Sequence, residues 1–197
     1  MLTLTPNAWK FELLPTKLEI ERSTRRRGQM AARCKKSTGR PYPFKSFMQG
    51  KGMQAGLLCE ELLRSRFAGF EYSKGLAIYD YDLLHEGRFG RTEVKAKRCS
   101  SPPKLDYYCS VAESSLHQDC DYYAFLRILN NSTRAWFIGF MPKADFLESA
   151  WMFKKGQEDP NAPGTGWTFS ETCRNVTIET VLRHPCNRGL RLLNTAT

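Results

Sequence analysis

The segment Asp121-Tyr-Tyr-Ala-Phe-Leu-Arg-Ile-Leu129 constrains the fold more than any other part of the chain. It is an almost unbroken apolar and aromatic run, closed by the turn-forming Asn130-Asn-Ser-Thr. A strand with this composition is covered on both faces, so it belongs inside a sheet with a layer on each side. Residues 135–140 follow the turn and supply its neighbour. These two strands predict an α/β chain in which helices flank a central sheet.

The remaining elements fit around that sheet. Residues 47–67 carry Ala55, Leu58, Cys59, Leu62, Leu63 and Phe67 on one broad helical face, and Gly69 ends the pattern. Short strands are expected at 70–72, 76–84 and 91–97, then a helix at 105–116 before the buried strand. Pro142 opens a helix over 143–153. A long loop follows at 154–176, where Lys154, Lys155 and Trp167 are candidates for substrate contact. The last segment packs Ile178, Val181 and Leu182 onto the core. Residues 1–21 alternate weakly and predict an edge strand or a hairpin turning near Pro15. Residues 22–45 lack apolar periodicity and carry Gly28, Gly39, Pro41 and Pro43, which predicts a flexible or ligand-ordered arm. Two parts result: a segment with a basic arm over 1–45 and a globular domain over 46–197, a sensible size for one core in 197 residues.

Charge narrows the partner. The net charge is +10, and the interval 22–59 alone holds ten basic residues and no acid. Such a stretch suits a polyanion, because each lysine or arginine docked on a phosphate releases condensed counterions. Arg25, Arg26, Arg27, Lys35 and Lys36 are the candidate contacts. No apolar run approaches the roughly 20 residues that span a bilayer, and the N-terminus lacks the features of a secretory signal. A cytoplasmic chain is expected. Seven scattered cysteines without a CxxC pair argue for reduced thiols rather than a disulfide framework or a zinc ribbon.

The chemistry concentrates in residues 78–97. Period-two alternation puts Asp80 and Asp82 on one side of the first strand, and Glu93, Lys95 and Lys97 on one side of the next. A reversal centred near Gly87 and Arg88 sets Asp82 opposite Glu93. Two carboxylates that close repel unless a cation lies between them, so a divalent-metal site with a lysine beside it is expected.

The order helix, three meandering strands, helix, strand, with an acid on the second strand and Glu93-Val94-Lys95 on the third, resembles the PD-(D/E)XK nuclease superfamily. The likeness runs over residues 47–140 and implies a restriction-endonuclease-like αβββαβ core. The proline that usually precedes the family's aspartate is absent, since Tyr79 and Tyr81 flank Asp80. The resemblance implies that Asp82 is the metal-bridging aspartate, Glu93 the second acidic ligand, the Val94 carbonyl a further ligand, and Lys95 the residue that positions the attacking water. It also implies a glutamate from the first helix. Glu60 suits that role better than Glu61, because Glu60 borders the apolar face and Glu61 is expected to point further into solvent. Asp80 either binds a second ion or holds Lys95; Gln118 stands where some of these nucleases carry a functional polar residue; Lys97 and Arg98 are placed to grip a phosphate.

The implied activity is Mg²⁺- or Mn²⁺-dependent hydrolysis of DNA phosphodiesters, most simply by an endonuclease of the small, basic kind common in phages and mobile elements. A phage-encoded enzyme of this kind acts in the host-cell cytoplasm. Two alternatives stand beside it: a structure-selective or end-processing nuclease, and a non-catalytic basic nucleic-acid-binding protein. RNA remains open as the polyanion, no membrane is expected, and symmetric cutting of a duplex calls for a homo-oligomer, because one site cuts one strand at a time.

Overall fold

The apolar run becomes an interior strand of the larger of two sheets. The computed structural model describes residues 11–38, 51–73, 81–161, 164–166 and 168–193. Along the chain come β1 (Glu12–Leu13), α1 (Lys17–Thr38), α2 (Lys51–Arg66), β2 (Phe70–Tyr72), β3 (Leu83–His85), β4 (Gly90–Cys99), β5 (Tyr108–Ala112), β6 (Tyr122–Leu129), β7 (Ala135–Pro142), α3 (Lys143–Ser149), β8 (Trp151–Phe153), β9 (Cys173–Thr177) and α4 (Ile178–Arg183). The six-stranded sheet has the order β1-β7-β6-β4-β3-β2, and the smaller one the order β5-β9-β8. Among the described residues only β4 and β6 pair in parallel, so the large sheet is mixed and the chain must cross over between them.

Strand alternation sorts the two cores. Ala124, Leu126 and Ile128 of β6 pack with Leu58, Leu62, Leu63 and Phe67 of α2, while Tyr123 and Phe125 pack with Val111, Phe146, Val176 and Val181 on the other side. Helix α2 and the small sheet therefore cover opposite faces, as a doubly covered strand demands. A bulge in β7 resets its phase: Phe125 pairs with Gly139 but Leu126 with Phe137, leaving Ile138 as the extra residue. That is why Phe137 and Phe140 share the α2-side core while Ile138 and Met141 face the opposite one.

Several expectations are corrected. The basic arm over 22–45 is, as far as Thr38, the body of α1, and the positions 39–45 lie outside the described residues. Polar contacts rather than an apolar stripe hold α1 down. Thr16 and Glu19 cap it reciprocally, the Glu19 backbone N–H reaching Thr16 Oγ1 at 3.3 Å and the Thr16 N–H reaching Glu19 Oε2 at 2.8 Å. Glu19, 4% exposed, then takes a two-pronged ion pair from Arg66 of α2 at 2.8 and 3.0 Å. The helix expected at 105–116 is strand β5 followed by a short 3-10 turn at Glu113–Ser115. Tyr108, Cys109 and Val111 suit a strand, and β9, far along the chain, provides the partner that local pattern cannot reveal. The helix expected to reach 153 stops at Ser149, and β8 takes over. The loop expected over 154–176 ends earlier, at β9, and Trp167 lies outside the described residues. Of the strand expected over 76–84, residues 74–80 also lie outside them.

The weak alternation near the N-terminus yields β1, which pairs with β7, and Ile178 and Val181 are fully buried as expected. Cys59, Cys99, Cys109, Cys120, Cys173 and Cys186 are free thiols. No helix among the described residues is long and apolar enough to cross a membrane.

Candidate functional site

The hairpin register settles where the carboxylates stand. Leu83 pairs with Thr92 and His85 with Gly90, so the reversal falls between Gly87 and Arg88. Carried one residue past the end of β3, the same register sets Asp82 beside Glu93, and the Asp82 N–H indeed donates to the Thr92 carbonyl at 3.2 Å. Asp82 is thus a half-buried bend residue at the mouth of the hairpin rather than a strand residue. Its Oδ2 accepts the Val94 N–H at 2.9 Å, which fixes the carboxylate against β4. Gly90 is needed where the turn meets β4: its φ is +46°, and a Cβ there would stand 2.7 Å from Asp121 Oδ2.

Glu93, Lys95 and Gln118 close a triangle. Lys95 Nζ donates to Glu93 Oε1 at 3.0 Å and to Gln118 Oε1 at 2.7 Å, while Gln118 Nε2 donates to the same Glu93 Oε1 at 2.7 Å. Gln118 is anchored in turn, because Lys143 Nζ donates to its backbone carbonyl at 2.5 Å. One Glu93 oxygen is therefore doubly satisfied. The other, Oε2, is buried with no partner among the described residues. A buried, unsatisfied carboxylate oxygen is costly unless something fills the place.

Two glutamates of α2 part company. Glu60, 7% exposed, lies within electrostatic reach of both Asp82 and Glu93 and is ion-paired to Arg26 of α1. Glu61 does not point into solvent, as its place on the helix had suggested; it is fully buried and caged by Arg64 at 2.9 and 3.1 Å, by Arg22 at 3.5 Å and by the Tyr72 hydroxyl. Burial pushes the Glu61 carboxyl up, but the Arg64, Tyr72 and Arg22 contacts outweigh it and hold the group below its ordinary range. Its role is to join α1, α2 and β2.

Crowding of acids governs the rest. Burial, and then the charges of Glu60 and Glu93, lift the Asp82 carboxyl well above its ordinary range, against the opposing pull of the Val94 N–H and Lys95. Burial also raises Glu60, and Glu93 adds to the rise, while Arg26 works against it. This is the signature of carboxylates gathered without enough positive charge among them.

The donors fit a hard divalent cation in part. All are oxygens, and Glu93 Oε2 is buried without a hydrogen-bond partner among the described residues. Among the described residues no three His, Cys, Asp or Glu groups come together as a complete ligand set. A site built on Asp82 and Glu93 suits Mg²⁺, which uses one or two carboxylates and fills its remaining positions with water and substrate phosphate. Glu60 is withheld by Arg26.

The other expected residues scatter. Asp80 lies outside the described residues. Arg25 and Arg27 are exposed on α1, whereas Arg26, expected to bind DNA, is turned inward onto Glu60 with its guanidinium 3.8 Å from the Tyr72 ring centroid. Lys35 and Lys36 fall in the last turns of α1, where the backbone alone is described. Lys97 sits on the Lys95 side of β4, and Arg98 alternates to the other. Sequence reasoning missed Arg26 as a member of the acidic cluster, since nothing local ties it to a glutamate on the next helix. No protein-family model matches the chain, and no curated protein matches it in sequence.

Proposed function

We propose that this chain is a metal-dependent nuclease that hydrolyses phosphodiester bonds of DNA, most simply as an endonuclease. The observation that carries the reading is Glu93, in register with Asp82 and held through one oxygen by Lys95 and Gln118, while its other oxygen is buried with no partner among the described residues. The arrangement of α2, the antiparallel meander β2-β3-β4 and the parallel strand β6 supports a restriction-endonuclease-like core. It departs from that core between β4 and β6, where β5 and a 3-10 turn replace the expected helix.

In this reading Asp82 and Glu93, with the Val94 carbonyl, would hold Mg²⁺ or Mn²⁺, which when bound polarises the phosphoryl group and offsets charge on the leaving oxygen. Lys95 does the positioning. Its ammonium is pinned between Glu93 and Gln118, so its remaining N–H is aimed at the attacking water or at a non-bridging phosphate oxygen as charge builds there. Gln118 keeps that ammonium from collapsing fully onto Glu93. The exposed Arg25 and Arg27 of α1, in a chain of net charge +10, provide the attraction that brings a polyanion to the site.

Supercoiled plasmid incubated with the purified chain and Mg²⁺ or Mn²⁺ tests this directly. Nicking or linearisation is expected, abolished by EDTA and reduced at least about 10²-fold in Asp82→Asn, Glu93→Gln and Lys95→Ala, each still able to retard DNA on a gel. The ion pair that withholds Glu60 favours a second reading, a basic nucleic-acid-binding protein with incidental acids. That protein would bind DNA equally with and without a divalent ion and cut it under neither condition.

A further inference from the structure

Of the run Arg25-Arg26-Arg27, the fold turns only the middle member inward. Helical spacing explains which one. Glu19, Ser23 and Arg26 recur at i, i+4 and i+7, on the face of α1 that lies against α2, and the first two are 4% and 0% exposed. At the far end of this stripe the Arg26 guanidinium donates to Glu60 and rests 3.8 Å from the Tyr72 ring centroid. The Arg26 side chain keeps 19% of its surface exposed and that of Glu60 10%, so one flank of the pair meets solvent.

This pair differs from the other two ion pairs between α1 and α2. Glu19 takes Arg66 through two prongs and is further held by Ser65 and Thr16. Glu61 is gripped by Arg64, Arg22 and the Tyr72 hydroxyl. Glu60 has Arg26 as its one hydrogen-bond partner among the described residues, and Arg26 has Glu60 as its own. Two joints are locked by several contacts, and the third hangs on one. It is also the joint beside the proposed metal ligands: α2 packs on β4, with Val94 among Ala55, Leu58 and Cys59, and Glu60 feels the charge of Glu93 as Asp82 feels that of Glu60.

Breaking a buried ion pair from one side strands the other charge, which is costly. Exchange avoids that cost when both halves find new partners together. A guanidinium matches the oxygens of a phosphate with its forked donors, and a carboxylate oxygen suits a hard divalent cation. A nucleic acid with its metal ion brings one of each.

We propose that Arg26 and Glu60 form an exchangeable pair, in which Arg26 passes to a nucleic-acid phosphate and Glu60, so released, joins Asp82 and Glu93 toward the divalent ion. This rests on the nuclease reading for the identity of the two ligands. In the free chain Arg26 is the resident cation of the acidic cluster, and metal and polyanion each ease the binding of the other, as linkage requires. Arg26 is thus a positioning residue that ties a full set of acids to the presence of substrate.

Two measurements on the full-length chain decide it, neither reading cleavage. In the first, Mn²⁺ affinity without DNA is taken from the electron paramagnetic resonance signal of the free ion. Arg26→Gln should bind Mn²⁺ about 10-fold more tightly than wild type, and the gain should vanish when Glu60→Gln is added. Arg25→Gln, which removes the same charge from the same helix without touching Glu60, should show no gain. In the second, the affinity for a short DNA duplex is followed against salt in EDTA. Glu60→Gln sets Arg26 free, so the slope of log K against log salt should steepen by about 0.9, the signature of one more phosphate contact. Adding Arg26→Gln should restore the wild-type slope, whereas Arg26→Gln alone should leave it unchanged.

Equal Mn²⁺ affinity in wild type and Arg26→Gln would overturn the proposal and make the pair a plain structural tie. An equal gain in Arg25→Gln would overturn it too, since the field of the basic helix would then suffice. A Mn²⁺ gain without the steeper slope in Glu60→Gln would overturn the exchange with phosphate. The nuclease reading fails separately: plasmid left uncut by wild type in Mg²⁺ and Mn²⁺ sinks it, while the two shifts would leave the exchange standing.

Discussion

At the scale of single residues, the site is a balance of charges that has been left uneven on purpose or by necessity, and Asp82 carries the strain. Its carboxyl is lifted by burial and by Glu60 and Glu93, so ionising it at neutral pH works against the fold. Asp82→Asn removes that charge and keeps an oxygen able to accept the Val94 N–H. In EDTA at pH 7 the variant should melt about 3 °C above wild type, by calorimetry or circular dichroism; on the nuclease reading proposed above it should also fail to cleave plasmid in Mg²⁺. A lower melting temperature would mean that the acids do not crowd one another. The core of this cluster was legible in the sequence. Strict alternation and a turn between Gly87 and Arg88 are enough to bring Asp82 to Glu93 and to put Lys95 on the same side. Gln118 was legible only through likeness to a family, and Arg26 not at all. An arginine in a basic run looks like every other arginine there until a helix turns it inward.

At the scale of elements, the most informative difference is α1. The absence of an apolar stripe suggested a loose arm, yet Thr16-Lys17-Leu18-Glu19 is a capping box, and it marked the start of the helix in plain view. What the sequence could not show is that Glu19 does two jobs, closing the first turn of α1 and receiving Arg66 from α2. Burial works to raise its carboxyl, but Arg66, Ser65 and Thr16 prevail and bring it down to about 2 from an ordinary 4.5. A depressed acid stabilises the fold in full above its unfolded value and loses that contribution as pH falls toward the folded one. Glu19→Gln should therefore cost about 3 kcal/mol in urea denaturation at pH 7. The gap between variant and wild type should close between pH 4.5 and about 2. A gap independent of pH would show that shape, not charge, is what Arg66 needs. Strand β5 illustrates the opposite limit. Tyr-Tyr-Cys-Ser-Val reads equally well on a short helix or a strand, and only the pairing of Cys109 with Val176 decides between them.

At the scale of the whole molecule, the chain is two sheets sharing one wall, with helix α2 behind it, and the doubly covered strand in the sequence foretold the shared wall but not the second sheet. The connection from β4 to β6 leaves the large sheet, builds β5 against β9, and returns carrying Gln118. Pairing β5 with β9 joins segments more than sixty positions apart, the kind of long-range contact that slows folding. The acids and Lys95 belong to pieces that form close together in sequence, but the amide that steadies them comes with the late piece. Diluted out of denaturant, the chain should regain its far-ultraviolet signal first and, on the nuclease reading proposed above, plasmid cleavage in Mg²⁺ afterwards, the lag matching the protection of the β5 and β9 amides from hydrogen exchange. Simultaneous recovery would argue against staged assembly. On the nuclease reading proposed above, a newly made copy would pass through an interval in which its acids and Lys95 are in place but Gln118 is not, a built-in delay before it could act on a chromosome within reach.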